Sequence, residues 1–409
     1  MRLKSNFFDS TISFFFFLAI FLLPYSLRAF FQVSLSNGTF VSLLIFLIST
    51  LVARNFKLLG KFDSSFFKII AISGLLIALH SIICTIFFQN DLIRLLLSFV
   101  FLIFLSYCAF SFQKYYTVKI FYIKFTLLIL IFIFILSRIF IKYIQSKSVI
   151  FFSEPSHFAL VFIPFLFVLL VISKNSVKFF LMLISFVIAA YIENLTFMCG
   201  LALCLLLIIP FRTLFYVVPS FILAILTIRY SQIYYGYEGL SYYFDRLPLS
   251  VDSFNLSSMV YLVGWDRAIA DVIASFGFGI GFQQFGIAGP ESMLSELVVK
   301  RFHLTGHLNL LDGGSLGAKF VGEFGIFGVL LLFCYLFYFI KFIKILNISN
   351  YSTHKLSIQS VFFMSWFITF SLDIFVRGTG YFNPPFLIFL AAIFYLFRST
   401  PVKIMLNKL

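Results

Sequence analysis

Residues 120–141 read IFYIKFTLLILIFIFILSRIFI. At 1.5 Å per residue, a helix over this stretch is about 33 Å long, enough to cross the hydrocarbon core of a bilayer. Comparable apolar runs occur at about 11–31, 39–53, 67–88, 92–112, 158–173, 179–194, 196–210, 213–230, 316–340, 357–375 and 383–397. The run 11–31 follows Arg2 and Lys4, but it is long and has no small-residue cleavage site. It reads as a first spanning helix and not as a signal peptide. The short alternating segments of a membrane barrel are absent. The predicted fold is all-α: a polytopic membrane protein of about twelve transmembrane helices.

The rest of the composition agrees. Of 409 residues, 62% are hydrophobic and 11% charged, and mean hydropathy is +1.09. A soluble domain of this size needs more charge to cover itself. The 64 Phe carry no functional signal and look like the apolar positions of an AT-rich genome. The net charge of +15 comes from basic residues scattered singly between apolar runs, which fits the positive-inside rule and not a nucleic-acid partner. Cys84, Cys108, Cys199, Cys204 and Cys334 all fall inside apolar runs, so neither a disulfide framework nor a metal-ligand spacing is expected, and no cofactor is implied.

Lys and Arg in the short loops set the orientation. Alternate loops hold Arg54, Lys57 and Lys61; Lys114 and Lys119; Lys174 and Lys178; Arg212; and Lys341, Lys344 and Lys355. With these and both termini on the cytoplasmic side, three segments are external: 142–157, 231–315 and 376–382. The parity depends on a chain break near Glu193 and Asn194. The domain plan is an N-terminal bundle, 1–230, of about nine helices, a large periplasmic loop, 231–315, and a C-terminal part, 316–409, of about three helices. A structureless loop of that length is unusual. Ser257–Ser275 has helical periodicity, so one or two short helices are expected against the outer membrane face. No internal repeat is obvious, which weakens an inverted-repeat transporter.

Polar chemistry gathers on the external side. Ser153-Glu154-Pro155-Ser156-His157 precedes the sixth run. It reads as a capped helix start, with Pro in the first turn. Glu154 and His157 also share one helical face, where a carboxylate beside an imidazole can take a proton from a sugar hydroxyl. Both readings stand together. Gly277-Phe278-Gly279-Ile280-Gly281-Phe282 is either a flexible loop or a tight turn that lets backbone approach a ligand. Lys319 and Glu323, at the start of the run 316–340, are four apart and either pair or face a polar cavity. Gly325 and Gly328 follow, and close helix packing accounts for them. Arg28, Arg229, Arg246, Arg267 and Arg377 are external, where basic residues are disfavoured. They either snorkel to headgroups or bind phosphate oxygens. Tyr230, Tyr234, Tyr235, Tyr237, Tyr242 and Tyr243 form an interfacial aromatic belt, with sugar stacking as a second use.

In their order these elements resemble the Wzy-type O-antigen polymerases, related to the O-antigen ligases. The likeness rests on Phe152-Ser153-Glu154-Pro155-Ser156, on Arg246, Trp265 and Arg267, and on Gly277–Phe282. It continues through Gly322-Glu323-Phe324-Gly325-Ile326-Phe327-Gly328 to Arg377 and Tyr381-Phe382-Asn383-Pro384. The Arg-then-ten-then-Gly spacing of some members is not met from Arg267, since Gly277 and Gly279 fall on either side of it. His307-Leu308-Asn309 is similar to the His-Asn feature of the ligases. The resemblance implies a metal-independent membrane glycosyltransferase of the bacterial inner membrane that joins undecaprenyl-pyrophosphate-linked oligosaccharides, with membrane lipids and a chain-length regulator as partners. It implies Glu154 as first and His307 as second candidate base, and Arg246, Arg267, Arg377, His157, Glu323 and Tyr381 as substrate-binding residues. The alternatives are an O-antigen ligase and a lipid-linked oligosaccharide flippase or transporter.

Overall fold

A computed structural model describes residues 2–53, 64–86, 88–140, 149–209, 255–303, 309–351 and 356–398. The apolar run 213–230, the tyrosine cluster, Arg229, Arg246 and His307 lie outside the described residues. Among those described, every regular element is a helix, and the one β-bridge joins Val149 and Phe152. The helices are α1 (Arg2–Phe31), α2 (Leu35–Ala53), α3 (Ser64–Cys84), α4 (Leu92–Tyr115), α5 (Ile120–Phe140), α6 (Pro155–Ile172) and α7 (Asn175–Ile192). They continue with α8 (Leu195–Ile208), α9 (Leu256–Ala274), α10 (Met293–Arg301), α11 (Leu316–Tyr351), α12 (Ile358–Thr369), α13 (Ser371–Phe375) and α14 (Pro384–Leu396).

Among the described residues, six segments are long and apolar enough to cross a membrane: α4, α5, α6, α7, the stretch Leu316–Ser349 of α11, and Ile358–Phe375 across α12 and α13. Shorter apolar helices lie at Phe17–Phe31, Leu35–Ile48, Lys68–Cys84, Leu195–Ile208 and Pro384–Leu396. The side chains agree with a bilayer as solvent. On α5, Phe121, Phe125, Leu128, Phe132, Ile135 and Ile139 are exposed at spacings of three and four, while Tyr122, Ile123, Leu127, Leu130 and Phe134 are buried. A helix that is apolar all round and still exposes one stripe has that stripe in lipid. Its Thr126 and Ser137 hydroxyls donate back to the carbonyls of Tyr122 and Ile133, at 2.7 and 2.6 Å, so neither hydroxyl needs a partner outside the helix.

Helix α6 is the centre of the bundle. Every residue from Ser156 to Val171 is buried, and α5, α7, α8, α11 and α12 pack round it. Gly200 of α8 makes this possible, since a Cβ there would meet Ile163 of α6. The break between α7 and α8 falls at Glu193, which adopts the left-handed conformation (φ 47°), and Asn194, whose side chain accepts from the Phe197 N–H.

Two elements differ from the sequence reading. The helix expected over 316–340 runs on to Tyr351, because Ile343, Ile345 and Leu346 keep its inner face apolar and buried while Lys341 lies over the Phe337 ring. It is also not one straight rod, because Gly325 breaks it with φ 56° and ψ −131°. The run 357–375 likewise divides, at Phe370, into α12 and α13. The helix predicted over Ser257–Ser275 is present as α9, with Asn255 capping its first turn, and it packs along α11.

Candidate functional site

The site is built round one turn, 376–383, between α13 and α14. Two residues pin it. Asp373 accepts from the Thr379 N–H and hydroxyl, at 3.0 and 3.2 Å, and from the Asn383 amide at 3.2 Å. The Asn383 amide also donates to the Gly380 carbonyl at 2.6 Å, and its carbonyl oxygen caps α14 at Phe386. The Gly378 N–H donates to Gly314, just before α11, at 3.1 Å. The backbone of the turn therefore has little freedom.

One side chain of the turn reaches the first candidate. Arg377 Nη2 lies 2.8 Å from Glu154 Oε2, and Arg28 Nη2, in the last turn of α1, lies 3.3 Å from Glu154 Oε1. Ser156 donates to Oε2 at 3.2 Å. All three ionic side chains keep partial access to solvent, at 24% for Arg377, 32% for Glu154 and 35% for Arg28. Glu154 is the N-cap residue of α6 with Pro155 in the first turn, as the helix-start reading expects, yet its carboxylate makes no cap and points to the arginines instead. Burial pushes this carboxyl up, while the His157 ring and the guanidiniums of Arg377 and Arg28 pull it down further, to about 2. His157 is buried beside it, with Nδ1 3.4 Å from the Ser153 hydroxyl and its ring 5.3 Å from that of Tyr25.

The same turn reaches a second carboxylate. The Tyr381 hydroxyl donates to Glu323 Oε2 at 2.8 Å, and Lys319 Nζ lies 3.8 Å from Oε1, so the pair at spacing four is formed. Lys319 also donates to Gln283 Oε1 at 3.3 Å and to the Leu311 carbonyl at 2.8 Å, and sits over the Tyr381 ring. Side-chain exposure is 3% for Lys319 and 0% for Glu323, so this cluster is sealed where the Glu154 cluster is open.

The glycine run is neither loose nor empty. The N–H groups of Ile280 and Gly281 donate to the carbonyls of Gly322 and Glu323, at 3.0 and 2.9 Å, and the Ile326 N–H donates to Gly277 at 2.9 Å. The break at Gly325 frees backbone groups of α11, and the run 277–281 satisfies them. A Cβ on Gly325 would overlap the Gly277 carbonyl, and one on Gly279 would meet the Glu323 carbonyl at 2.5 Å. The two glycine motifs are thus two halves of one backbone junction. Ser275 strengthens it by accepting from the Gly279 N–H at 2.6 Å.

Arg267 is not brought to Glu154. It is buried on α9, near Asp271 one turn on, and its Nε has no partner. Asp271 is fully buried with both oxygens unpartnered; burial pushes its carboxyl up to about 8, which Arg267 opposes and Glu323 reinforces. An apolar cavity of about 800 Å³ opens between α3, α4, α11 and α14. It runs along α3 from Ile69 to Ile83 and is lined at one end by Phe278, Phe282 and Tyr381. Among the described residues, no three His, Cys, Asp or Glu side chains gather as a metal-ligating group.

Sequence reasoning missed Gln283, Asp373 and Asn383 as holders of the site, and it left Arg28 between headgroups and phosphate oxygens without foreseeing its contact with Glu154. An Asp inside an apolar run was the available signal for Asp373. Compared with known proteins, the chain matches no protein-family model, no curated protein and no solved structure.

Proposed function

We propose that the protein is a polysaccharide polymerase that joins undecaprenyl-pyrophosphate-linked repeat units at the outer face of the bacterial inner membrane. The observation that carries this reading is the convergence of Arg28 and Arg377 on Glu154, from three distant parts of the chain, at a point open to solvent. In this reading about twelve spans place both termini in the cytoplasm and 231–315 outside, as the basic loops indicate.

The chemistry follows from the groups. The two guanidiniums hold the donor's pyrophosphate and neutralise the charge that develops on it. A hydroxyl oxygen of the acceptor sugar attacks the anomeric carbon of the donor. The bond from that carbon to the pyrophosphate oxygen breaks, and undecaprenyl pyrophosphate leaves with the electron pair. The hydroxyl proton goes to Glu154 and then to solvent. His307 is the second candidate base, and Arg246 a further phosphate ligand. Of the residues the resemblance assigns to substrate binding, His157 lies beside Glu154, while Glu323 and Tyr381 anchor the turn that carries Arg377. The carrier's hydrocarbon lies in the apolar cavity, whose stretch along α3 is about 21 Å long. The resemblance to the polymerases adds to this reading.

The test is reconstitution. Purified protein in vesicles, given lipid-linked repeat units from its host, is expected to produce longer lipid-linked glycans, and Arg377→Ala is not. Units that move across the bilayer with no new glycosidic bond would mean a flippase. Transfer of a finished glycan to a different lipid acceptor would mean a ligase.

A further inference from the structure

The Arg28–Glu154–Arg377 cluster has a feature that a simple phosphate clamp does not need: a carboxylate already sits on both guanidiniums, one oxygen to each. We infer that Glu154 is an internal stand-in for the ligand's phosphate, displaced from Arg28 and Arg377 when a lipid-linked pyrophosphate binds and released by that displacement to act as base. This rests on the polymerase reading and adds a condition to it: the base becomes competent only when the donor is in place.

Four observations support the exchange. The three side chains are partly open, so an anion from solvent or the lipid surface reaches them without unfolding anything. The contacts come from side chains on separate elements, α1, the start of α6 and the turn 376–383, so exchange needs rotamer changes alone. The turn that carries Arg377 is fixed by Asp373, Asn383 and Gly314, so its backbone keeps its place when the carboxylate leaves. Glu154 is not needed as a helix cap, since its side chain makes no cap bond in its present position. Its departure breaks the Ser156 contact but no cap bond of α6.

The physical balance favours the ligand. A carboxylate offers two oxygens and one negative charge, whereas a pyrophosphate diester offers more of both and matches two guanidiniums bidentately. Once displaced, the carboxyl loses two cations and gains an anion beside it. Both changes raise its proton affinity, moving a weak base toward a useful one. Without ligand, the carboxylate occupies both guanidiniums, offsetting part of their charge, and is itself disarmed as a base.

The experiment measures anion affinity of the full-length protein in detergent by isothermal titration, with two probes: inorganic pyrophosphate and undecaprenyl pyrophosphate. Removing the competing charge in Glu154→Gln is expected to tighten both on the order of tenfold, while polymer synthesis is lost. Glu154→Asp, which keeps the charge, is expected to bind near the wild-type level, and its thermal melt with that of the Gln variant shows that both are folded. Arg28→Ala and Arg377→Ala are each expected to weaken binding. If wild type binds and polymerises but Glu154→Gln binds no more tightly, the stand-in is overturned and the polymerase stands. If Glu154→Gln tightens only inorganic pyrophosphate, the cluster is a site for a free anion and the link to donor binding is overturned. If wild type extends no lipid-linked unit, the polymerase reading itself falls, whatever the affinities.

Discussion

Arg377 and Glu154 are 223 residues apart in sequence and 2.8 Å apart at Nη2 and Oε2. The pair joins the turn before the last described helix to the start of the most buried one, and four residues further on Tyr381 ties the same turn to Glu323. Replacing Arg377 leaves Glu154 with Arg28 alone and, in the polymerase reading, removes a proposed phosphate ligand. Arg377→Ala is expected to abolish polymer formation, and Arg377→Lys to recover only part of it, since an ammonium does not reproduce a bidentate fork. Glycan length on gels, at matched protein levels, checks this.

The sealed cluster yields a stability prediction. Glu323→Leu leaves the Lys319 ammonium buried without its carboxylate and the Tyr381 hydroxyl without its acceptor. Losing one partner of a buried pair destabilises by about 3–5 kcal/mol, whereas replacing both by apolar groups is often neutral. The melting temperature in detergent is expected to fall sharply for Glu323→Leu and to recover for Lys319→Met with Glu323→Leu. A single variant that melts like wild type would remove the pair from the structural core.

Gly325 is the next. Its φ of 56° with ψ −131° strains any L side chain, and a Cβ has no room beside the Gly277 carbonyl. Gly325→Ala is expected to destabilise by at least about 1–3 kcal/mol. The melting temperature reads this directly, and an unchanged value would mean that α11 does not break there.

Asp271 predicts a pH dependence. Burial raises its folded-state value to about 8, above the value of about 3.9 for an unfolded Asp. Between those values the folded chain binds more protons than the unfolded one, so stability falls as pH rises through this window and levels off above it. Thermal melts from pH 5 to 9 are expected to show a downward slope in wild type that Asp271→Asn removes. Equal slopes in both would assign the titration elsewhere.

Length and polarity made much of the fold legible. Apolar runs such as 120–141 read as helices because a bilayer-spanning helix has few other compositions open to it. The period of Ser257–Ser275 marked α9, and Glu193 with Asn194 marked the break between α7 and α8. The Gly325 break was not legible, since a glycine in an apolar run serves close helix packing equally well, and the Gly277 carbonyl that requires it lies far away in sequence. Glu154 and Arg377 stood out as ionisable groups beside apolar runs. Their meeting, with Arg28 as the third member, is a property of the packed bundle that no local spacing encodes. Arg267 shows the reverse, because the same reasoning grouped it with the phosphate ligands and α9 buries it near Asp271.

The most direct test of a polymerase is deletion of the gene in its own host, with surface polysaccharide resolved by gel electrophoresis. A polymerase predicts loss of the long-chain ladder with a single-repeat band retained, and restoration of the ladder by the wild-type gene but not by Arg377→Ala. An unchanged ladder, or single lipid-linked units held on the cytoplasmic leaflet, would contradict it.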